Sequence, residues 1–292
     1  MRNTMKKCYR MVAAVLCAAI VLSLPVNVQA AGKKAGAVNY DNFHLVFDVE
    51  YYYETNADLQ EEFGRDEEAL FAHFVQTGIF EGRSGNGEFV LRDYMKYNQD
   101  LLELFGTDYG AYCRHLVEQG KEEGRTAVSE EESGELGSYV SAYDPEQQRA
   151  TNVEVAASRI NDIVLQPGEK FSFNKTVLPR TRANGYVPGP VIKGGRLVDG
   201  MGGGICQVSS TLYVAMVLAG IPATEHYNHS LPVEYAPRGL DATISGNSKD
   251  LKFVNTFSFP IVIKAEAVDG VLTVTLEEYV EENEEESTAK EL

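Results

Sequence analysis

Apolar residues recur at helical spacing in two segments of the second half of the chain. The first segment spans residues 152–164, and its apolar face consists of Val153, Ala156, Ala157, Ile160 and Val164. The second begins at Cys206, and its apolar face consists of Val208, Leu212, Ala215 and Ala219. A helix is predicted over each segment, and Gly220 is expected to end the second one.

The remaining apolar residues of this half follow the two-residue alternation of short β-strands. Strands are predicted at 186–187, 190–192, 196–198, 241–245, 251–255, 261–267 and 271–276. Residues 268–270 have the composition of a hairpin turn between the last two strands. The pattern therefore predicts an α+β domain over residues 138–279, in which one central helix packs on an antiparallel sheet.

The first half of the chain contains an internal repeat with an offset of 42 residues. The units span 48–83 and 90–125, and the recurring positions of the second unit are Tyr94, Asn98, Asp100, Phe105, Gly106, His115, Val117, Gly120, Glu123, Gly124 and Arg125. Each unit predicts two short helices separated by a Phe-Gly break. Residues 41–125 are expected to form a small all-α module of tandem helical repeats, of a type seen in bacterial surface proteins. Its repeated histidines are expected to pack inside the helices, with metal binding as the alternative.

Residues 1–30 have the three parts of a secretory signal peptide. Basic residues precede an apolar run at 11–24, and Val28-Gln29-Ala30 fits a cleavage site. The mature chain is therefore expected outside the cytoplasm, either secreted or associated with the cell wall. An uncleaved N-terminal anchor is the alternative, and attachment to a membrane is expected only in that case.

Charge and cysteine content narrow the functional classes. The formal net charge is −17, so nucleic acid is not expected as a partner, because its binding needs Lys and Arg to displace counterions from phosphates. The acidic stretches at 126–137 and 280–292 are expected to be a linker and a disordered tail. Removal of the signal peptide leaves Cys113 and Cys206, which are expected to be free thiols rather than a disulfide.

The segment GGGICQVSST at residues 202–211 places a single cysteine directly after a glycine run and at the start of a predicted helix. Backbone N–H groups at a helix start carry partial positive charge, which favours a thiolate. Neighbouring glycines let a second molecule approach the main chain closely. His229 and Asp241 follow in the order Cys, His, Asp that several thiol enzymes use.

A set of motifs spread over residues 140–277 resembles the VanW family. The motifs are Asn152, Pro167-Gly168-Glu169, Phe171-Ser172-Phe173-Asn174, Gly185-Tyr186, the cysteine segment at 202–211, His229-Ser230-Leu231-Pro232-Val233, Gly239-Leu240-Asp241-Ala242-Thr243 and Asp250-Leu251-Lys252-Phe253. The family is named for an accessory gene of vancomycin-resistance clusters. The resemblance implies a cell-envelope protein of Gram-positive type, exported or tethered to the membrane.

The order of helix, histidine and aspartate is also similar to the core of transglutaminase-like and papain-like thiol enzymes. That likeness implies that Cys206 is a nucleophile, that His229 accepts its proton and that Asp241 orients the imidazole. Substrate-binding or oxyanion groups would come from Gly203, Gly204, Gln207, Ser209, Ser210, Thr211 and Ser230. The expected substrate is a peptidoglycan peptide, with either hydrolysis or transpeptidation as the outcome, and no cofactor is expected.

Two other functions stay open at the level of sequence. In the first alternative, the protein is a non-catalytic cell-wall binding or scaffold protein, and Cys206 is simply a small buried residue. The second alternative is a zinc-binding domain, with ligands drawn from Cys206, His226, His229 and Asp241. The sequence also contains a basic cluster, which consists of Arg180, Arg182, Lys193 and Arg196. This cluster is either a site for a substrate carboxylate or a set of surface salt bridges.

Overall fold

The structure, a computed structural model, describes residues 41–129, 134–193, 196–246 and 248–281. The predicted signal peptide at 1–30 and residues 282–292 of the predicted tail lie outside these ranges. Within them, no helix combines the length and the apolar character needed to cross a membrane.

The repeat module is all-α, as its pattern predicts. Its first unit contains a short 3-10 turn at Phe43–Val46 and then α1 (Val49–Thr55), α2 (Ala57–Phe63) and α3 (Glu67–His73). Its second unit contains α4 (Leu91–Tyr97), a 3-10 turn at Gln99–Leu101, α5 (Leu102–Phe105) and α6 (Tyr109–His115). The last helix of each unit widens into a π-turn, at Phe74–Gly78 and at Leu116–Gly120.

The repeated histidines pack inside the module and bind a repeated tyrosine. Tyr52 Oη lies 2.9 Å from His73 Nδ1, and Tyr94 Oη lies 2.8 Å from His115 Nδ1. Gly120 has to be a glycine because a methyl group there would overlap the Tyr94 hydroxyl. The repeat motif therefore encodes a tyrosine–histidine–glycine packing unit, which accounts for its recurrence without a ligand.

The second half of the chain is built on a four-stranded antiparallel sheet with the order β1-β9-β8-β2. Its strands are β1 (Glu135–Ala142), β2 (Ile163–Leu165), β8 (Ile261–Val268) and β9 (Val271–Glu278). A second sheet has the order β3-β7-β6, with β3 (Lys170–Ser172), β6 (Ala223–Glu225) and β7 (Lys252–Val254). A hairpin joins β4 (Pro188–Lys193) and β5 (Arg196–Met201).

Three helices complete this half: α7 (Arg149–Ile160), α8 (Phe173–Val177) and α9 (Ile205–Leu218). Both α7 and α9 pack on one face of the four-stranded sheet, α7 mainly against β8 and α9 against β1 and β9. The opposite face carries exposed Val140, Val268 and Val271. The predicted α+β class, with a central helix on an antiparallel sheet, is confirmed.

Several boundaries differ from the predicted ones. The strand β1 begins at Glu135, inside the stretch 126–137 that was predicted as a linker, and it pairs with β9 from that residue onward. Residues 186–187 precede β4 and are not a strand. Residues 241–245 are irregular as well, although their alternating pattern predicts a strand. Their backbone polar groups bond to serine side chains of α9 and to Tyr227, which replaces a strand ladder.

The repeat module packs against the C-terminal end of α9. Tyr109 Oη donates to Val217 O at 3.3 Å, and the ring of Phe80 lies over Gly220. Cys206 is the second residue of the helix and lies near its other end, about 17 Å away at about 1.5 Å per residue. The module therefore supports the helix from the end opposite the cysteine.

Candidate active site

Cys206 differs from every other residue of α9 in its exposure. The remaining residues of the helix are all buried, whereas Cys206 is partly exposed. Cys113, in the repeat module, is fully buried, and burial raises the pKa of its thiol. Both thiols are free, as predicted. A buried packing role therefore fits Cys113 and does not fit Cys206.

The glycine run brings the chain into the helix through backbone conformations and contacts that other residues would not allow. Gly204 is the N-cap, with φ 108° in the left-handed region. At Gly203 a methyl group would overlap the backbone of Gly189 and Pro190 in β4. Asn152 of α7 fixes this contact, because its Nδ2 donates to Gly203 O at 2.7 Å. The start of α9 is thus held between α7 and the hairpin.

His229 and Asp241 form a tight pair beside this helix start. Asp241 Oδ2 lies 2.7 Å from His229 Nδ1 and also accepts the His229 backbone N–H at 2.6 Å. Asn228 Nδ2 donates to the other carboxylate oxygen at 3.0 Å. Both carboxylate oxygens are therefore committed to one short segment, which fixes the position and the orientation of the ring.

The side chain of Cys206 also interacts with the imidazole of His229 and raises the pKa of the ring, and the Cys206 Sγ donates to Ile244 O at 3.7 Å. Burial alone would lower the pKa of His229, but the interactions with Asp241 and Cys206 outweigh it and raise the pKa to about 9. Burial alone would raise the pKa of Asp241, but its hydrogen bonds from His229 and Asn228 hold it below its usual range. At neutral pH the His229 ring is therefore a cation beside Cys206 and the Asp241 carboxylate.

We expect the His229 ring to titrate near pH 9 in solution and to titrate lower in a Cys206→Ala variant. The interaction with Cys206, which raises the pKa of the ring, disappears in the variant, while the one with Asp241 remains. Histidine ring resonances followed by NMR against pH measure both values. A Cys113→Ala variant is the control, and an equal shift in the control would contradict a direct contact between Cys206 and His229.

The serines at the start of α9 hold the aspartate loop in place. Ser209 Oγ donates to Ala242 O at 2.7 Å, and Ser210 Oγ accepts the Ala242 N–H at 2.8 Å. Thr211 Oγ1 bonds to Gln207 O and lies 2.8 Å from Ser141 Oγ. All three hydroxyl residues are fully buried. Their side chains position Asp241 and β1, and this geometry gives no support to the predicted substrate-binding role.

Gln207 is also not the oxyanion donor that the sequence predicts. Its Nε2 donates to Ala142 O at 2.8 Å and to Ser141 Oγ at 3.1 Å, and its Oε1 accepts from Arg149 at 2.7 Å. The Gln207 amide is fully buried and faces β1 rather than solvent. The Cys206 N–H stays a suitable donor because first-turn N–H groups have no acceptor within the helix.

The remaining predicted residues lie around the rim of the site. Ser230 is exposed directly after His229, whereas Gly203 is buried and Gly204 is partly exposed at the helix start. Asp241 lies on an irregular segment, which corrects its predicted placement on a strand, and His229 also lies on an irregular segment. The site is therefore assembled by loops that hydrogen bonds to α9 hold in place.

His226 does not join this group. Its ring stacks on Tyr213 with centroids 3.9 Å apart, and its Nε2 bonds to Asp241 O at 2.8 Å. Burial lowers the pKa of His226, so its ring is neutral at pH 7. Across the described ranges no three His, Cys, Asp or Glu side chains are grouped so that they could hold a metal ion. The zinc-binding alternative thus has no supporting geometry among these residues.

Two residues that contribute to the candidate active site have no clear signal in the sequence. Asn228 holds Asp241, although an asparagine next to a histidine carries no recognisable motif. The ring of Tyr235 forms an edge-type contact with His229, with the centroids 6.3 Å apart. Both reach the site through the loop 226–245, whose path depends on tertiary contacts.

The fold and the site together define an α+β domain with a thiol, an imidazole and a carboxylate at the start of its central helix. Residues 148–277 match the family described as VanW like protein. These residues therefore form a VanW-like domain.

Two curated proteins are similar to this domain. The uncharacterized protein YoaR of Bacillus subtilis (strain 168) is 42% identical over 143 residues, which cover 49% of this chain and 47% of that protein. The vancomycin B-type resistance protein VanW of Enterococcus faecalis (strain ATCC 700802 / V583) is 28% identical over 134 residues, which cover 43% of this chain and 49% of that protein. The chain thus spans about half the length of the curated relatives it matches. No solved structure matches it.

Proposed function

We propose that this protein carries out thiol-dependent acyl transfer or hydrolysis on peptides of the peptidoglycan. One observation carries the proposal: Cys206, the partly exposed residue of α9, lies close enough to His229 to raise the pKa of its ring, and His229 in turn is held by Asp241. A nucleophile, a base and an orienting acid in this order are the components of a cysteine or serine acyl-transfer site.

The chemistry follows from the placement of these groups. The Cys206 thiolate attacks the carbonyl carbon of a peptide bond, and the oxyanion accepts the Cys206 N–H at the helix start. The imidazolium of His229 then gives its proton to the leaving amine, which departs and leaves a thioester on Cys206. Water or a second amine attacks the thioester, His229 takes up the proton of the attacking group, and the thiolate is released. Water gives hydrolysis, and an amine gives a transpeptide bond.

The sequence and the similarity to a named relative both support the cell envelope as the place where the protein acts. Residues 1–30 have the pattern of a secretory signal peptide. One relative is named as a vancomycin B-type resistance protein. The net charge of −17 favours an uncharged or cationic partner over an anionic one, and peptidoglycan peptides carry amines as well as carboxylates.

We expect a covalent acyl adduct on Cys206 when the protein is mixed with soluble peptidoglycan stem peptides and quenched in acid. The thioester forms only if the thiol is the nucleophile. Intact-mass spectrometry and peptide mapping detect the adduct and assign it. Cys206→Ala should abolish it, whereas Cys113→Ala, at a sealed site, should retain it.

Failure to form an adduct points to the alternative, a non-catalytic cell-wall binding protein. The repeat module favours this alternative because it packs on the end of α9 opposite Cys206 and adds surface outside the site. Sedimentation with purified sacculi distinguishes the two. Equal sedimentation of the wild-type protein and Cys206→Ala, with no adduct on any peptide, would contradict the acyl-transfer proposal.

A further inference from the structure

Arg180 lies beside the glycine run that precedes Cys206. Its aliphatic stem is so close to Gly202 that a methyl group there would stand 3.0 Å from Arg180 Cδ. Its Nη2 donates to Asn174 Oδ1 at 3.1 Å, which fixes one edge of the guanidinium. The side chain is partly buried, so its direction is set by packing on the helix entrance.

The hydrogen-bonding capacity of this guanidinium is incompletely used. Its Nε is buried and has no acceptor in the described part of the chain. Arg180 also forms no ion pair with any described carboxylate, whereas Arg83 pairs with Asp58 and Glu81. In a protein of net charge −17, a half-buried arginine without a carboxylate partner stands out. An unsatisfied guanidinium is the group best suited to a carboxylate, because it offers parallel N–H donors.

Electrostatics link this arginine to the thiol. Burial lowers the pKa of Arg180, and the largest opposing effect is the negative charge of Cys206, ahead of Tyr186 and Asp250. The guanidinium is therefore within electrostatic reach of the Cys206 sulfur.

The other members of the predicted basic cluster do not share these properties. Arg182 and Arg196 are exposed, and the side chain of Lys193 lies outside the described positions. Arg149, on the other side of Gly204, is already bonded to Gln207. Among the described arginines at the entrance to α9, Arg180 is distinguished by a buried guanidinium nitrogen that has no acceptor.

We propose that Arg180 binds a carboxylate of the substrate next to Cys206, so that the site takes peptides that carry a free carboxylate close to the bond attacked. This inference rests on the proposed function for the acyl-transfer step but concerns the selection of the substrate. Arg180 acts as a specificity-determining residue, since it contacts a part of the substrate that does not react.

Two alkylating reagents of nearly equal size test the proposal without a known substrate. Iodoacetate carries a carboxylate and iodoacetamide carries a neutral amide. Both alkylate the thiolate, which forms a sulfur–carbon bond as iodide leaves. In the full-length protein, the ratio of their second-order rate constants at Cys206 is measured by mass spectrometry of the peptide that contains it. We expect Arg180→Gln to lower the ratio of iodoacetate to iodoacetamide about tenfold, the effect of losing a charge-assisted contact.

The controls separate this inference from the proposed function. Arg182→Gln removes the same charge from an exposed position nearby and should leave the ratio unchanged. Arg180→Lys keeps the charge without the planar fork and should fall between the two. An unchanged ratio in Arg180→Gln would overturn carboxylate recognition while leaving the thiol chemistry intact. A rate of iodoacetamide alkylation at Cys206 that is the same in the wild-type protein and in His229→Gln would instead overturn the proposed function.

A competition in the wild-type protein keeps the test decisive if Arg180→Gln does not fold. N-acetylglycine presents a carboxylate, and N-acetylglycinamide presents the matching amide. We expect the acid to slow the alkylation of Cys206 by iodoacetamide and the amide to have no effect at the same concentration. Equal protection by both compounds, or protection by neither, would contradict a carboxylate site beside the thiol.

Discussion

Replacing His229 by glutamine is expected to slow the alkylation of Cys206 by iodoacetamide at pH 7 by about tenfold or more, since a free cysteine thiol is only a few per cent thiolate at that pH. His229 has a pKa of about 9 and is therefore a cation at pH 7, in contact with Cys206. Glutamine keeps much of the volume and the polar end but carries no charge. The rate constant is measured at Cys206 by peptide mass spectrometry.

The pH dependence adds a second readout. The ratio of the wild-type rate to the rate in His229→Gln should exceed one between about pH 6 and 8, where the imidazolium is present, and should fall toward one above its pKa of about 9. In His229→Gln the rate should rise steadily toward about pH 8.5, the value of an ordinary thiol. A steady rise of the same form in the wild-type protein would count against an activated thiol.

The same substitution at His44 is the matched control. His44 is exposed in the repeat module, and its replacement by glutamine should leave the rate at Cys206 unchanged. Asp241→Asn should also slow alkylation, because Asp241 supports both the ring and the loop that carries it. Equal rates in His229→Gln and His44→Gln would remove the main support for the proposed function.

The central helix and its cysteine could be predicted from sequence because the signals are local. Helical spacing, the glycine run and the stop at Gly220 all lie within one segment, and the observed helix ends at Leu218, just before that stop. The order of Cys206, His229 and Asp241 also indicated a shared site, and the structure brings their side chains together.

The loop that carries the histidine and the aspartate could not be predicted in the same way. Ala242 and Ile244 are buried at every second position, which is the pattern of a strand. The hydrogen-bond partners of this segment are side chains of Ser209 and Ser210, which lie more than thirty residues earlier in the chain: Ser209 donates to Ala242 O, and Ser210 accepts the Ala242 N–H. A local pattern carries no information about such bonds, so the serines were interpreted as part of a pocket.

The direction of Gln207 illustrates the same limit. A glutamine next to a candidate nucleophile suggests an oxyanion donor, and the helix position alone does not say where the amide points. The buried β1 backbone at Ala142 and the guanidinium of Arg149 decide it, because each needs a partner in the core. Only the packing of β1 and α7 on the central helix reveals that Gln207 holds elements together.

Replacing Gly203 by alanine is expected to destabilise the protein by about 3 kcal/mol, at the upper end of overpacking costs. The added methyl group would overlap the backbone of Gly189 and Pro190, and a backbone cannot move aside as a flexible side chain does. The start of α9 or the hairpin then has to shift, so Cys206 should also lose its alignment with His229. Urea unfolding measures the stability, and iodoacetamide alkylation measures the alignment.

Gly134→Ala is the matched control for this change. The nearest atom to a methyl group at Gly134 is Glu278 O at 3.9 Å, an ordinary contact, so both stability and alkylation should stay close to wild type. If Gly203→Ala is as stable as this control, the hairpin does not press on the helix start. If it is destabilised but Cys206 reacts at the wild-type rate, the glycine run serves packing alone. Only the combined loss of stability and reactivity ties the fold of the hairpin to the chemistry of the thiol.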